Sequence, residues 1–297
     1  MLPPQRPVTV GIDGSDSALQ AVRWGASEAA RHRVRLRLVI ALERSRTDAA
    51  GEGLAAVLSD RARQRLAVAA AVAVREAPDV DLEQQLVVGH TLSVLCAEGR
   101  RARLVVIGDR GTGLGLPAGS VAVGLAVQAP CTVVVVHGPP RSESDFRPVV
   151  VGVDGSSGSD AVIAFAFEAA ASRRVALVVM HTWSDVTVEP EITAQLGWDA
   201  MRADARRMLS ERLDAWTQKY PDVHVDQMIT RDRPAAELLQ QAARAQLVVV
   251  GAGGRGEFGG LLLGSVSHAV LHRAPCPVAV VRTDPTVNAV VGGRAEG

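Results

Sequence analysis

Val10-Gly11-Ile12-Asp13-Gly14-Ser15 and Val151-Gly152-Val153-Asp154-Gly155-Ser156 are one phrase written twice, and the fold of this chain follows from that echo. The repetition continues in step toward the carboxyl end. Val106-Ile107-Gly108 is answered by Val249-Val250-Gly251, Gly119-Ser120-Val121 by Gly264-Ser265-Val266, and Ala129-Pro130-Cys131 by Ala274-Pro275-Cys276. Partners stand 141 residues apart at Asp13 and Asp154, and 145 apart at Gly119 and Gly264. So long a period predicts two similar domains rather than a short-repeat solenoid.

At 297 residues the chain is long enough for two domains, each with its own core. With 47% hydrophobic but only 3% aromatic residues, those cores must be built from Val, Leu, Ile and Ala. The 32 basic and 32 acidic residues balance, and there is no polybasic run, which argues against nucleic acid as the main partner. Lys219 is the only lysine, so no Gly-rich loop carries one. Neither a secretory signal core nor an apolar run of membrane-spanning length is present. Cys96, Cys131 and Cys276 are odd in number and widely spaced, and the latter two follow Ala-Pro at strand entrances. Cys131 and Cys276 read as small buried hydrophobes, and a reducing, cytoplasmic compartment is expected.

Each copy alternates strand and helix. In the first, apolar Val8–Ile12 precedes a helix over Ser17–His32, whose Ala18, Val22, Ala26 and Ala29 recur at helical spacing. There follow a strand at Arg35–Leu42, a long helix at Leu54–Val74, a strand at Val80–Val88 and a helix at Thr91–Ala102. Leu104–Ile107, a helix at Ser120–Gln128 and the wholly apolar Thr132–Val136 close the copy. The second copy gives strands at Val149–Val153, Val175–His181, Val223–Ile229, Leu247–Val250 and Val278–Val281. Its helices are expected at Asp160–Ser172, Asp199–Lys219, Ala235–Ala245 and Ser265–His272. Such alternation predicts an α/β fold: right-handed βαβ crossovers on a parallel sheet covered on both faces. The expected domains are 1–140 and 148–284, joined by a polar linker at 141–147, with an irregular Gly-rich tail at 285–297.

The sharper motif lies in the second copy, where Gly251-Ala252-Gly253-Gly254-Arg255-Gly256 leaves a strand and Gly264-Ser265 opens a helix. Glycines let backbone come close to a ligand, and the amides of the loop and first helical turn face an anion with the helix dipole behind them. A flexible turn with an ordinary Ser cap is the competing reading. Neither loop contains Gly-Lys-Ser/Thr, so the Walker phosphate loop is excluded. Each copy also ends its first strand on an Asp. In a doubly wound sheet, ligands sit beyond the carboxyl strand ends where the winding reverses. If the first and fourth strands flank that reversal, Asp13 faces the loop from Gly108 and Asp154 the loop from Gly251. An Asx-turn is the structural alternative for each carboxylate, and it is compatible with binding.

The early Val-Gly-Ile/Val-Asp-Gly-Ser strand end together with a late Gly-x2-Gly-x9-Gly-Ser loop resembles the ATP-binding branch of the universal stress protein family, here as a tandem pair. The resemblance covers the chain up to its tail. It implies two Rossmann-like domains, similar to adenine-nucleotide α-hydrolases, each with a five-stranded parallel sheet in the order 3-2-1-4-5. It further implies ATP, with or without Mg2+, whose adenine and ribose lie near Asp154 and whose phosphates lie on the Gly251 to Ser267 loop. The implied site residues are Gly152, Asp154, Gly251, Gly254, Arg255, Gly256, Gly264, Ser265, Val266 and Ser267. In the first copy they are Gly11, Asp13, Gly108, Gly111, Gly119, Ser120 and Val121. That copy departs from the pattern: only Thr112–Ala118 separates Gly111 from Gly119, Pro117 intrudes, and Asp109 puts a carboxylate where phosphates would lie, offset by Arg110. Weaker binding, or a ligand with fewer phosphates, is expected there.

Asp185, after the second strand of the second copy, is within reach of a ribose in the same cleft, or else caps a loop. His268 and His272 share a helix at a metal-binding spacing but lack further ligands nearby in sequence, so they read as solvent-facing. Arg61, Arg63 and Arg65 read as a solvated helix face. No Ser/His/Asp or Cys/His order suggests a nucleophile. The apolar strands Thr132–Val136 and Val278–Val281 fall at sheet edges in the implied topology, inviting a pseudo-dimer of the two copies; the resemblance also implies a homodimer of whole chains. The leading expectation is a nucleotide-dependent regulator of stress response or dormancy, acting on a downstream protein partner. Lacking a lysine or paired metal carboxylates at the loop, it is expected to hydrolyse ATP slowly at most. The alternatives are an adenylate-transferring enzyme of the same superfamily, whose Ser-Gly-Gly-x-Asp-Ser loop Asp13-Gly14-Ser15-Asp16-Ser17 matches only loosely, and a scaffold without ligand.

Overall fold

Short apolar runs and the helical stretches between them give ten strands and eight helices among the described residues. The computed structural model describes residues 5–43, 51–111, 120–138, 146–156, 158–183, 198–231, 233–253 and 263–282, with backbone alone at 51, 52, 54 and 198. Two compact units divide the chain, Met1–Pro140 and Arg141–Gly297.

In the first unit, strands β1 (Val8–Gly11), β2 (Leu36–Leu42), β3 (Leu82–Val88), β4 (Leu104–Gly108) and β5 (Thr132–Val136) alternate with helices α1 (Asp16–His32), α2 (Gly51–Glu76), α3 (Thr91–Gly99) and α4 (Ser120–Gln128). All pairings are parallel and the strand order is β3-β2-β1-β4-β5. The winding therefore reverses at β1, whose carboxyl end lies beside that of β4. Helices α1 and α2 pack together on the sheet, and α3 packs with α4. Coverage of both faces explains why Val8, Val10, Leu104, Val105 and Val106 are wholly buried and why these strands read as unbroken apolar runs.

The second unit repeats the plan with β6 (Val149–Val153), α5 (Ser159–Arg173), β7 (Leu177–Trp183), α6 (Trp198–Lys219), β8 (Val225–Arg231), α7 (Pro234–Ala242), β9 (Leu247–Gly251), α8 (Ser265–Arg273) and β10 (Val278–Val281). Its order, β8-β7-β6-β9-β10, is again 3-2-1-4-5 by position, and again all parallel. The cores differ in detail. Phe167 of α5 stacks on Trp216 and Tyr220 at the end of α6, with ring centroids 6.2 and 5.9 Å away.

Some elements are shorter than the hydrophobic pattern suggests, for a local reason. Helices α3 and α7 end at Gly99 and Ala242 because the following amides bond to carbonyls three residues back, as in Arg101 to Glu98 and Arg244 to Gln241. Strand β3 begins two residues late, and β8 keeps its expected length but is displaced two residues onward, to end at Arg231, because Val80 and Val223 donate into turns at Ala77 and Tyr220.

Candidate ligand-binding cleft

The turn after each first strand is the same piece of local chemistry. Asp13 Oδ1 accepts from the Ser15 amide at 2.9 Å and the Ser15 hydroxyl at 2.7 Å. Asp154 Oδ1 accepts from the Ser156 amide at 2.9 Å and hydroxyl at 2.6 Å. Both are Asx-turns, and the intervening Gly14 and Gly155 have φ of +87° and +76°, a region glycine enters without cost. In the first unit Ser15 then caps α1, accepting from the Ala18 amide. In the second, a third donor, the hydroxyl of Ser159, reaches Asp154 Oδ1 at 2.9 Å. Three donors on one oxygen fix the plane of the Asp154 carboxylate.

Across the switch point of the second unit lies the entrance to α8. Its N-cap is Gly264, which has no side chain to satisfy the first-turn amides. Four amides at a helix start lack intrahelical acceptors, so the backbone of Ser265, Val266 and Ser267 presents donors and the positive end of the helix dipole. Ser265 is therefore the first helical residue and not the cap. Two bonds close the loop at its base: the Gly264 amide donates to the Ala252 carbonyl at 3.0 Å, and the Ser267 hydroxyl to the Gly251 carbonyl at 2.6 Å. Ser267 is buried, and its proton holds α8 to β9.

Between the turn and the helix start is a cleft of about 260 Å³. Gly152, Asp154, Gly251, Gly264, Ser265, Val266 and Ser267 line it, together with an apolar floor of Met180, Pro234, Leu238 and Val250. Sequence reasoning missed that floor, because Met180 and Leu238 look like any other core residue. The usable signal was Pro234 at the first position of α7, four residues ahead of Leu238. Gly152 makes the floor possible, since a Cβ there would lie 2.8 Å from Leu238 Cδ1. Apolar floor, fixed carboxylate and helix-start amides together make a cleft suited to a flat ring at one end and an anion at the other. Asp185, Gly254, Arg255 and Gly256 lie outside the described residues, as do Gly119, Pro117 and the rest of 112–118.

The first unit differs where Asp109 leaves β4. Its carboxylate does not join the α4 entrance at Ser120 and Val121; it accepts from the Ser17 hydroxyl, on α1, at 2.6 Å. His137 Nδ1 stands 3.7 Å from its other oxygen, and Arg110 Nε 3.4 Å. Ser17 also accepts from the Arg110 amide, and the Ser15 hydroxyl donates to the Arg110 carbonyl, both at 3.3 Å. The start of the loop is thus pinned to the α1 side of the sheet, beside a cavity of about 370 Å³ lined by Ser15, Ser17, Gln20, Asp109, Arg110 and Gly138. The second unit has Ala252 and Gly253 in place of Asp109 and Arg110 and makes no such bracket through side chains. Gly108 is a packing glycine: a Cβ there would collide with the side chain and backbone of Ser17. Gly11 likewise sits against Leu95 and Ile107, and Gly111 ends the described part of the loop.

Other candidates resolve simply. Cys131 and Cys276 are buried and in no disulfide, and burial pushes the Cys131 thiol up to about 12, far from a reactive thiolate. His268 and His272 are exposed with rings 4.6 Å apart. Among the described residues no group of three or more His, Cys, Asp or Glu side chains is placed to hold a metal, and no helix is long and apolar enough to cross a membrane. Arg61, Arg63 and Arg65 are exposed as expected, and Arg63 pairs with Asp60 at 2.8 Å. Arg65, however, lies along Gly14 of the Asp-Gly-Ser turn.

Fold and cleft define a class: two doubly wound α/β units in tandem, at least the second with a ligand-sized cleft at its switch point. Comparison with known proteins narrows it. The model of the universal stress protein family matches residues 5–137 and again 145–282, and the chain belongs to that family of stress-response proteins. A universal stress protein of Mycobacterium tuberculosis is 39% identical over 294 residues, covering 94% of this chain and 97% of the relative. One from Mycolicibacterium smegmatis is 38% identical over 285 residues, covering 93% and 96%. The crystal structure of a universal stress protein from Archaeoglobus fulgidus matches with a TM-score of 0.72 over 94% of this chain and 98% of that one, at 18% identity. That likeness speaks to the fold alone.

Proposed function

We propose that this chain is a nucleotide-dependent regulator that takes ATP in the cleft of its second unit. The observation that carries the reading is the convergence, at one switch point, of the fixed Asp154 carboxylate, the side-chain-free cap of α8 and an apolar floor. The adenine ring suits the floor of Met180, Leu238 and Pro234, the ribose hydroxyls suit Asp154, and the phosphates suit the amides of Ser265 to Ser267. The loop residues Gly251, Gly254, Arg255 and Gly256 belong to the same proposal, as does Asp185 at the ribose. When bound, ATP supplies a charged occupant whose presence or loss alters the loop that a partner protein reads. The first unit, with its loop shortened and tied to α1 through Asp109, binds ATP more weakly. ATP is taken with or without Mg2+, hydrolysis is slow at most, and the protein works in the cytoplasm. Self-association of whole chains belongs to the same reading.

The test is to denature the purified protein, identify any nucleotide released and count it per chain, then titrate the stripped protein with ATP. About one equivalent, lost on altering the second cleft, supports the unequal pair of sites. Two equivalents of equal affinity remove the inequality. No release and no binding on titration end the nucleotide reading and leave a scaffold.

A further inference from the structure

In both units the long second helix lays an arginine on the Asp-Gly-Ser turn. From α6, Arg212 Nη2 donates to the Ser156 carbonyl at 2.6 Å and Nε to Asp160 Oδ1 at 2.8 Å. The side chain is three-quarters buried, and it stands behind the turn without lining the cleft. From α2, Arg65 occupies the space beside Gly14: a Cβ on that glycine would lie 2.6 Å from Arg65 Nε and 2.7 Å from its Cδ.

These arginines are not the same position inherited twice. Both helices end alike, with Ala77 donating to Ala73 and receiving Val80, and Tyr220 donating to Trp216 and receiving Val223. Matching Ala77 to Tyr220 sets Arg65 against Met208 and Arg212 against Ala69. The two arginines therefore start one helical turn apart. Where Arg65 stands in the first unit the second has Met208, 65% exposed, and where Arg212 stands the first has Ala69, wholly buried. Duplication alone would have kept one position. A shared requirement for a cation against the turn accounts for two.

We propose that Arg212 and Arg65 are positioning residues for the ligand turns, holding the Asp-Gly-Ser carboxylate in its binding orientation and tying the long helix to occupancy of the cleft. Arg212 grips the carbonyl of Ser156, the residue whose amide and hydroxyl orient Asp154. A guanidinium suits the task because its planar fork serves two acceptors at once, which an ammonium does not. Its charge also offsets that of Asp160 and eases the placing of the Asp154 carboxylate close by. In the second unit this makes α6 the element that senses the ligand: loosening the turn on one side frees the helix on the other. The inference rests on the nucleotide reading for the identity of the ligand, but not for the clamp itself.

The experiment uses the full chain carrying Arg212→Met, Arg212→Lys or Arg65→Met. Affinities for adenosine, AMP and ATP are measured by calorimetry, and hydrogen exchange at the 154–159 turn is measured without nucleotide. Arg212→Met is expected to weaken all three ligands by a similar factor of about tenfold. It should also speed exchange of the Ser156 amide while thermal unfolding stays near the parent value. Arg212→Lys should recover part of both effects, and Arg65→Met should disturb the first unit's turn alone. Unchanged turn exchange in Arg212→Met overturns the clamp. A loss that grows with the number of phosphates overturns positioning in favour of direct phosphate contact. If the parent protein binds none of the three ligands, the nucleotide reading fails, and the exchange measurement still decides the clamp.

Discussion

Replacing Asp154 by alanine and, separately, by asparagine divides the carboxylate's work for the fold from the ligand contact proposed for it. Alanine removes the one acceptor shared by the Ser156 amide, the Ser156 hydroxyl and the Ser159 hydroxyl, at 2.6 to 2.9 Å. The two Ser156 donors lie near the surface and regain water. Ser159, 3% exposed, does not. A buried donor left without a partner costs about 1–3 kcal/mol, and loss of the turn adds about 1 kcal/mol, so the second unit should lose about 2–4 kcal/mol. At about 3 °C per kcal/mol for a unit of this size, its melting transition should fall by about 6–12 °C. Asparagine keeps an oxygen in place of Oδ1 and should cost less than about 1 kcal/mol, yet on the proposed nucleotide reading it should lose affinity because the charge is gone. The first unit supplies a control: Ala18 stands where the second unit has Ser159, so Asp13→Ala strands no buried hydroxyl and should cost about 1 kcal/mol. Differential scanning calorimetry on the three variants reads the result. Equal losses for Asp154→Ala and Asp13→Ala, or for Asp154→Ala and Asp154→Asn, would refute the reasoning.

Thr9 is wholly buried in β1 with its hydroxyl unpartnered among the described residues, and the second unit has Val150 at that place. Thr9→Val should therefore stabilise the first unit by about 1 kcal/mol, seen as a higher urea midpoint at unchanged slope; a lower midpoint would show that the hydroxyl has a role. Gly108→Ala drives a Cβ into the backbone of Ser17, so it should destabilise the first unit by about 1–3 kcal/mol whether or not nucleotide is present; a variant that melts like the parent would contradict the close approach. For Cys131, burial holds the folded thiol up to about 12. It should resist alkylation at mildly alkaline pH until the unit unfolds, as mass spectrometry would show. Because the folded value lies above the unfolded one, the unfolded chain loses this proton first, so the stability it supports is complete below about pH 8.5 and is lost toward about pH 12. A Cys131→Ala variant with the same alkaline fall in stability would deny that linkage.

Most of the secondary structure was legible because it rests on local periodicity. Strand Thr132–Val136 and helix Ser120–Gln128 keep the bounds their apolar pattern suggests. Misses fell at element ends such as Arg100–Ala102, where competition between backbone bonds three and four residues back leaves no mark in hydrophobicity. The Asx-turns at Asp13 and Asp154 were readable from Asp-Gly-Ser alone, since all their partners lie within five residues. Asp109 was not. Its sequence place suggests a carboxylate among phosphates, but Ser17, 92 residues away, draws it to the α1 side of the sheet.

By itself the sequence determined that there are two α/β units of one plan, because apolar spacing and turn chemistry are local and were written twice. It also determined that the loops after β4 and β9 differ, because two residues are missing from one of them. Tertiary structure alone decided which face Asp109 serves, that Met180 and Leu238 floor the second cleft, and that Arg212 and Arg65 reach the Asp-Gly-Ser turns from different helix positions. Each of these joins side chains from elements far apart in the chain, and a hydrogen bond or close packing of that kind is fixed by where crossovers carry the backbone, not by the residues on either side.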